Sequence, residues 1–223
     1  ITQTAKAEEL LENHGMEECN AVDSPYRSGF VINRIPDNGV PVEQKARLVK
    51  RYQSLVGSLL WLQRHTRPDI STAISLLSCY PHNPSAGHYE AAKRVLAYLQ
   101  GTLDRGIHFT QGGPPVSVNV SFPTTDGAYT DANWGPQDAS HPREDVVEMI
   151  PTDSVRSLLG HTCIRMGGPI AWGCTREPKT SRSSCKAEIF SMDEGCKTSE
   201  MLYHLMTDLK LPNVANGIPM FND

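Results

Sequence analysis

The sequence predicts an α/β chain, in which a helical N-terminal half precedes a mixed β-sheet with one long helix. Apolar residues recur with a helical period in three segments before residue 101. After residue 115 the pattern changes to three strand-like segments, a long helix and a further strand. The run Gly112–Pro115 lies between the two patterns, so the expected domains are residues 1–115 and 116–223.

The first two helices are predicted from their periods and end residues. Residues 4–14 form a short helix that Gly15 ends. A loop rich in Pro and Gly runs to about residue 44. From Ala46 the helical period returns, and Tyr52, Leu55 and Leu59 lie on its inward face.

Two more helices begin at proline-containing motifs. Thr66-Arg67-Pro68-Asp69 starts one that runs to about Cys79. Asn83-Pro84-Ser85 starts the next, with Asn83 as the cap and Pro84 at the first helical position. Gly101 ends this helix, and its inward stripe includes His88, Ala92, Val95, Leu96 and Leu99. A short strand is predicted over Gly106–Thr110.

The second half reads as a sheet with one covering helix. Strands are predicted over Asp126–Trp134, Ser157–Met166 and Pro169–Cys174, and Met166-Gly167-Gly168 indicates a hairpin between the last two. A polar loop from Gly135 to about Asp153 separates the first two strands. The long helix runs from Ser184 to about Leu209, and a last strand begins at Ile218–Phe221.

Composition restricts the possible function classes. No run of about 18 apolar residues is present, which argues against a membrane span. Residues 1–115 carry 12 Lys and Arg against 11 Asp and Glu, and residues 116–223 carry 9 against 14. The acidic second half suits a divalent-metal site, although composition alone favours a solvated face. The six cysteines lack the close spacing of a zinc site, so reduced thiols in an intracellular protein are expected.

Glu188 is the first candidate functional residue, because of its position on the long helix. Counted from Glu188, an apolar stripe follows one helical face, which predicts that Glu188 is buried near the N-terminal end. The stripe contains Met192, Gly195, Cys196, Ser199, Leu202, Tyr203 and Met206. A buried carboxylate needs a partner or a metal. An ion pair with Arg176 or Arg182, or a capping role, is the alternative.

Two aspartates complete a possible metal cluster. Asp131 lies inside a predicted strand, where Asp is disfavoured, although a strand-end turn would also explain it. Asp223 follows the last strand. A strand Asp, a helix Glu and a second strand Asp can converge on divalent cations, and phosphodiester hydrolysis uses such clusters.

Several motifs resemble copia-type retrotransposon Pol polyproteins. Residues 52–62 (YQSLVGSLLWL), 66–70 (TRPDI) and 98–102 (YLQGT) resemble the region that joins the reverse transcriptase thumb to RNase H. Residues 129–134 (YTDANW), 170–172 (IAW), 183–188 (SSCKAE) and 220–223 (MFND) resemble the strands and central helix of the family's RNase H domain. The resemblance covers nearly the whole chain in the family's order.

The resemblance implies a thumb and connection segment over residues 1–115, followed by an RNase H-like mixed sheet with a central helix, incomplete at the C-terminus. It implies an endonuclease that hydrolyses the RNA strand of RNA–DNA hybrids, with Asp131, Glu188 and Asp223 holding Mg²⁺ or Mn²⁺. Arg64, Arg67, Lys93 and Arg94 are the candidate contacts to the hybrid; a solvated helix face is the alternative. Other implied partners are the polymerase palm and integrase of the same polyprotein. The implied location is intracellular, in a cytoplasmic particle and the nucleus.

The sequence also departs from the family pattern. Lys186 stands where the family often has Glu, and the loop between Gly135 and Ser157 is longer than usual. The family's last acidic helix and strand have no counterpart before Asp223, and the polymerase motif Tyr-x-Asp-Asp is missing. Two alternatives to an active nuclease therefore stay open: a non-catalytic module that positions nucleic acid, and a decayed gene copy.

Overall fold

The structure is a computed structural model in which two compact units are described separately. Among the described residues, those up to Gly106 form a helical unit and those from Ile107 onward form a sheet unit. The described residues are 1–26, 42–109, 126–133, 156–179, 181, 183–211 and 217–222. The boundary predicted at residue 115, the loop from Gly135 to Asp153, and Trp134, Arg182 and Asp223 lie outside them.

The helical unit contains α1 (Thr4–His14), α2 (Val42–His65), a 3₁₀ turn (Pro68–Ile70), α3 (Ser71–Leu77) and α4 (Ala86–Gln100). The predictions for α1 and α2 are confirmed, since Gly15 ends α1 in the left-handed conformation at φ 60° and the α2 stripe is buried. The helix predicted after Thr66 is also present, but it opens with the 3₁₀ turn and ends at Leu77.

The start predicted for α4 is wrong by two residues. Ser85, not Asn83, is the N-cap, and Ala86 is the first helical residue. Ser85 Oγ accepts a hydrogen bond from the His88 backbone N–H at 3.3 Å, and the Ser85 N–H donates to His88 Nδ1 at 2.8 Å. This reciprocal pair forms a capping box, which satisfies two groups that an Asn83 cap would leave open. The inward stripe of α4 is buried as predicted.

No strand is present over residues 106–109, and Thr110 lies outside the description. Gly106 lies instead against the N-terminal residue, where an added Cβ would be 2.3 Å from the Ile1 carbonyl oxygen. A strand requires a ladder partner, and this close approach of two chain segments provides no ladder.

The sheet unit contains β1 (Gly127–Asn133), β2 (Leu158–Arg165), β3 (Gly168–Arg176), α5 (Ser184–Asp208) and β4 (Met220–Asn222). The strand order is β3-β2-β1-β4. β1 pairs with β2 and β2 with β3 in antiparallel fashion, whereas β4 pairs with β1 in parallel. The predicted α/β class and mixed sheet are therefore confirmed.

The long helix α5 covers one face of this sheet through small side chains. Its buried residues are Ala187, Ser191, Gly195, Ser199, Leu202 and Met206. A Cβ on Gly195 would lie 2.3 Å from Thr130 Cγ2, so this glycine allows α5 to approach β1 closely. Ser183 caps the helix, with its Oγ accepting from the Lys186 N–H at 3.3 Å. Before the cap, the fully buried Glu177 carboxylate accepts a hydrogen bond from the Ser181 N–H at 3.2 Å.

Candidate functional site

The parallel ladder between β1 and β4 ends at a pair of polar side chains. Ala128 lies opposite Met220 and Thr130 opposite Asn222, and no later pair is formed in the described part of β4. The Thr130 hydroxyl is 2.9 Å from the Asn222 side-chain amide. Asp131 is the next residue of β1, just beyond the last pair.

The Asn222 amide joins this strand end to α5. One terminal atom of the amide lies 3.2 Å from Glu188 Oε2, 2.9 Å from Thr130 Oγ1 and 3.0 Å from the Thr130 carbonyl oxygen. A carboxylate and a carbonyl can only accept hydrogen bonds, so the atom that faces them is the amide nitrogen Nδ2. The ends of β1 and β4 and the second turn of α5 therefore meet at one hydrogen-bonded cluster.

Glu188 lies on the flank of the buried face of α5 and is half-buried. The prediction of a buried Glu188 is therefore wrong at this end of the helix, whereas Gly195, Ser199, Leu202 and Met206 of the predicted stripe are buried. The buried stripe runs through Ala187 and Ser191, and Met192 is exposed. Small residues, whose phase an apolar count does not detect, make the contact with the sheet. Among the described residues no ion pair joins Glu188 to Arg176.

Asp131 is exposed, although both of its neighbours on β1 are buried beneath α5. Because side chains alternate along a strand, the Asp131 carboxylate lies on the sheet face opposite to Thr130 and Ala132. The backbone of Asp131 is held firmly: its carbonyl oxygen accepts from Ser191 Oγ at 2.7 Å, and the residue pairs with Gly160 on β2. Within the described part of the chain its carboxylate accepts no hydrogen bond.

The described residues contain two of the three predicted metal ligands. No group of three or more His, Cys, Asp and Glu side chains within this part of the chain could hold a metal ion. Asp131 and Glu188 still provide oxygen donors of the kind that Mg²⁺ prefers, at the same end of the sheet. Asp223 follows Asn222 directly, so the predicted ligand set is compatible with this position in chemistry and in chain order.

Comparison with known proteins gives several curated relatives. The retrovirus-related Pol polyprotein from transposon RE2 of Arabidopsis thaliana is 35% identical over 158 residues, which are 71% of this chain and 9% of that protein. The Pol polyprotein from transposon TNT 1-94 of Nicotiana tabacum is 28% identical over 214 residues, 95% of this chain and 14% of that protein. Secreted RxLR effector protein 161 of Plasmopara viticola is 29% identical over 151 residues, 68% of this chain and 90% of that protein.

This chain is homologous to a segment of copia-type retrotransposon Pol polyproteins. The predicted family resemblance is confirmed. The chain spans between 9% and 14% of the length of these two polyproteins. No family model and no solved structure matches it.

Among the predicted nucleic-acid contacts of this Pol segment, Arg67 is buried. Its guanidinium is paired with Asp69 at 2.8 Å and donates to the Thr102 carbonyl oxygen at 2.9 Å and to Thr102 Oγ1 at 2.6 Å. The Tyr98 hydroxyl donates to the same Asp69 carboxylate at 2.8 Å. These bonds join the start of α3 to the end of α4, so the geometry gives Arg67 an internal role.

The other three basic candidates differ in accessibility. Arg64 is exposed near the end of α2. Lys93 is half-buried, forms an ion pair with Glu90 at 2.7 Å and lies 5.7 Å from the centre of the Tyr89 ring. Arg94 is also half-buried, and its Nε is enclosed without a hydrogen-bond partner in the described structure. Arg64 is thus the candidate best placed to contact an external ligand.

One exposed face of α2 was missed by the sequence reasoning. Its residues recur at helical spacing and are all exposed: Arg47, Lys50, Ser54, Gly57, Trp61 and Arg64. Trp61 is 53% exposed, and its ring lies beside that of His65, with the centroids 4.0 Å apart and the planes tilted by 35°. The available signal was the position of Trp61 three residues before Arg64 and outside the predicted inward face of α2.

No helix within the described residues combines the length and apolar character that crossing a membrane requires. No disulfide joins the six cysteines, all of which lie in described segments.

Proposed function

We propose that the sheet unit is an RNase H-type nuclease module of a Pol polyprotein, which hydrolyses the RNA strand of RNA–DNA hybrids with Mg²⁺ or Mn²⁺. The observation that carries this proposal is the meeting of β1, β4 and α5 at the Thr130–Asn222–Glu188 cluster. Asp131 and Asp223, the two other proposed ligands, each directly follow a member of that cluster in the chain.

The strand order supports the same assignment. A three-stranded antiparallel meander, a long helix and a parallel fourth strand beside β1 agree with the RNase H-like sheet that the sequence predicted. The relatives named as Pol polyproteins support a polyprotein context.

The opposite orientation of Asp131 and Glu188 is compatible with a shared ion at this position. Carboxylates on two faces of a sheet can approach one ion only where neighbouring strands no longer pair. The β1–β4 ladder covers three residue pairs and ends at Thr130, so Asp131 lies beyond it. Glu188 approaches the same end from the α5 side.

Each proposed residue has a defined task. Asp131 and Glu188, with Asp223, provide negative oxygen donors, and the backbone of Asp131 is held by Ser191 and Gly160. These three residues would hold a pair of Mg²⁺ ions, which would supply a reactive water and charge neutralisation at the scissile phosphate. The half-buried position of Glu188 leaves its carboxylate accessible to an ion.

The test is cleavage of a labelled RNA–DNA hybrid by this chain as a function of Mg²⁺ concentration. The expected result is cleavage of the RNA strand that is lost in Glu188→Gln and in Asp131→Asn, with Glu200→Gln on the exposed face of α5 as the matched control. Cleavage that persists unchanged in both site variants would contradict the proposal.

A second candidate function is nucleic-acid positioning by the helical unit. The exposed face of α2 carries Arg47, Lys50 and Arg64 on one side of the helix, and no ion pair engages these cations within the described residues. Lys and Arg neutralise backbone phosphates, and an exposed aromatic ring offers a platform on which a base can stack. The small residues Ser54 and Gly57 leave room for a backbone to approach.

Binding measurements distinguish this second function from the first. Trp61→Ala should weaken binding of a labelled hybrid by about 1–3 kcal/mol, the value of one stacked base. Arg64→Ala should lower the dependence of binding on salt concentration, because one phosphate contact is lost. Met201→Ala and Lys197→Ala remove an exposed apolar and an exposed basic residue of α5 and serve as controls. If the α2 variants and the control variants change hybrid binding equally, the exposed face of α2 is not a nucleic-acid contact.

The proposed partners in the intact polyprotein are the polymerase palm and integrase, together with the hybrid substrate. The proposed location is a cytoplasmic particle and the nucleus, where reverse transcription and integration would take place. These proposals rest on the homology to Pol polyproteins.

A further inference from the structure

We infer that Asn222 is a positioning residue that holds the Glu188 carboxylate at the metal site, an inference that rests on the proposed nuclease function. Asn222 was not a candidate in the sequence, and it is not itself a proposed ligand. Its amide nitrogen is 3.2 Å from Glu188 Oε2, which makes it the side chain in the described structure that contacts this proposed ligand by a hydrogen bond.

The position of the Asn222 amide is determined at several points. The parallel register places Asn222 opposite Thr130. The amide nitrogen then lies within hydrogen-bonding distance of both Thr130 Oγ1 and the Thr130 carbonyl oxygen, at 2.9 and 3.0 Å. The two amide hydrogens are shared among these two oxygens and Glu188 Oε2, so the amide nitrogen is held between β1 and Glu188.

Glu188 requires such a partner because it lies on the flank of α5 rather than within its buried face. A half-exposed Glu side chain samples many rotamers, and confining it costs side-chain conformational entropy. A hydrogen bond that holds the carboxylate before the metal binds removes most of this entropy loss from the binding step. Residues that orient metal ligands through hydrogen bonds raise metal affinity in this way.

The chemistry of an amide suits this task better than that of a charged residue. A Lys or Arg beside Glu188 would compete with a cation for the carboxylate, and an Asp or Glu would repel it. The neutral amide orients Oε2 and leaves the carboxylate charge available to Mg²⁺. In the described structure Glu188 Oε1 accepts no hydrogen bond and stays open to a ligand.

The first measurement is Mn²⁺ affinity, followed by water proton relaxation, in the full chain and three variants. Asn222→Ala should raise the Kd for Mn²⁺ by about 10-fold or more, the usual effect of losing a residue that orients a ligand. Asn13→Ala, on the exposed side of α1, should leave the Kd unchanged. Hybrid cleavage by Asn222→Ala should recover at saturating Mn²⁺, because the ligands and their charges are intact.

The outcomes separate the inference from the function on which it rests. If Glu188→Gln weakens Mn²⁺ binding and Asn222→Ala does not, the inference is overturned and the nuclease proposal stands. If neither substitution changes Mn²⁺ binding, the metal site itself is wrong and the inference falls with it. A loss of cleavage in Asn222→Ala that no metal concentration restores would also contradict a positioning role.

A metal-free measurement tests the hydrogen bond directly. In the nuclear magnetic resonance spectrum of the metal-free chain, Glu188→Gln should shift the side-chain NH₂ signals of Asn222 and leave those of Asn13 in place. Thr130→Val, which removes one anchor of the amide and preserves side-chain shape, should shift the same signals. Unchanged Asn222 signals in both variants would overturn the inference, and folding of each variant is checked in the same spectra.

Discussion

The helical unit and the sheet unit fill their interiors with different side chains. In the helical unit the fully buried residues are large, among them Tyr52, Leu55, Leu59 and Leu96. In the sheet unit the helix–sheet contact is made by small residues such as Ala128, Ala187, Ser191 and Gly195. Large apolar residues maximise the area removed from water, whereas small ones let a helix lie close to a strand.

The two units are therefore sensitive to different substitutions. The helical unit depends on a continuous apolar core and on one buried polar centre around Arg67. The sheet unit depends on close approach, which holds the Asp131 backbone and the Asn222–Glu188 pair in fixed positions. The proposed metal site needs defined ligand positions, and it lies in the sheet unit, where the close contact between α5 and β1 provides them.

The largest effect is expected when the polar centre of the helical unit is broken. Arg67→Ala leaves the Asp69 carboxylate without its cation, although the Tyr98 hydroxyl still donates to it, and removes one of the donors to the Thr102 carbonyl. Removing one member of a buried ion pair should lower the free energy of unfolding by about 3 kcal/mol. Urea denaturation followed by fluorescence of Trp61, which lies in this unit, measures the change. Lys93→Ala breaks the more exposed pair with Glu90 and should cost about 1 kcal/mol or less; equal losses would contradict the assigned role of Arg67.

Substitutions of two glycines compare the close helix–strand contact of the sheet unit with the exposed face of α2 in the helical unit. Gly195→Ala would bring a Cβ to 2.3 Å from Thr130 Cγ2, and such overpacking should cost about 2 kcal/mol. Gly57→Ala meets no atom within 4 Å and should stabilise exposed α2 by up to about 1 kcal/mol, through helix propensity. Denaturation curves of the two variants should move in opposite directions. A shift in the same direction would show that Gly195 does not set the helix–strand distance.

A smaller effect is expected from pH, through a histidine beneath α5. Burial lowers the pKa of His161 below its ordinary value of 6.5, although the nearby Glu194 carboxylate opposes this. A depressed histidine pKa means that the neutral ring is favoured in the folded state. The contribution of the neutral ring to the free energy of unfolding is fully present above pH 6.5, the pKa in the unfolded chain. It is lost as the pH falls from 6.5 through the lower pKa of the folded state. The urea midpoint of the sheet unit, followed by β2 amide signals, should therefore fall between pH 7.5 and 5.5.

The control for this pH effect removes the titrating ring nitrogen atoms. His161→Phe should flatten the acid dependence of the sheet unit, whereas His14, whose pKa is lowered by burial and by Arg51, keeps the helical unit acid-sensitive. If the urea midpoint of the His161 variant falls with pH as steeply as that of the unchanged chain, groups other than His161 cause the acid sensitivity.

Sequence reasoning predicted most of the fold because large apolar residues repeat at regular spacing. The periods of α2 and α4 and the hairpin between β2 and β3 gave the correct elements. The errors occurred where a local contact decides the outcome. Ser85 takes the cap of α4 because His88 completes a capping box, and residues 106–109 find no ladder partner.

The site was predicted less completely than the fold. Asp131 and Glu188 could be selected from the sequence, but the first turns of α5 were misjudged because Ala187 and Ser191, not Glu188 and Met192, face the sheet. Asn222 could not be found, because its contact with Glu188 depends on the register between β1 and β4. The exposed position of Trp61 was not predicted, since it depends on how the helices of the unit pack.

Iron-mediated cleavage of the polypeptide tests whether a metal ion binds where β1, β4 and α5 meet. Fe²⁺ replaces Mg²⁺ at oxygen-ligand sites, and with ascorbate and peroxide it cuts the backbone close to where it binds. We expect cuts near Asp131, Glu188 and Asn222 that excess Mg²⁺ suppresses and that Glu188→Gln removes. Cuts confined to other segments, or cuts at these positions that neither Mg²⁺ nor the substitution affects, would contradict a metal site at the meeting point of β1, β4 and α5.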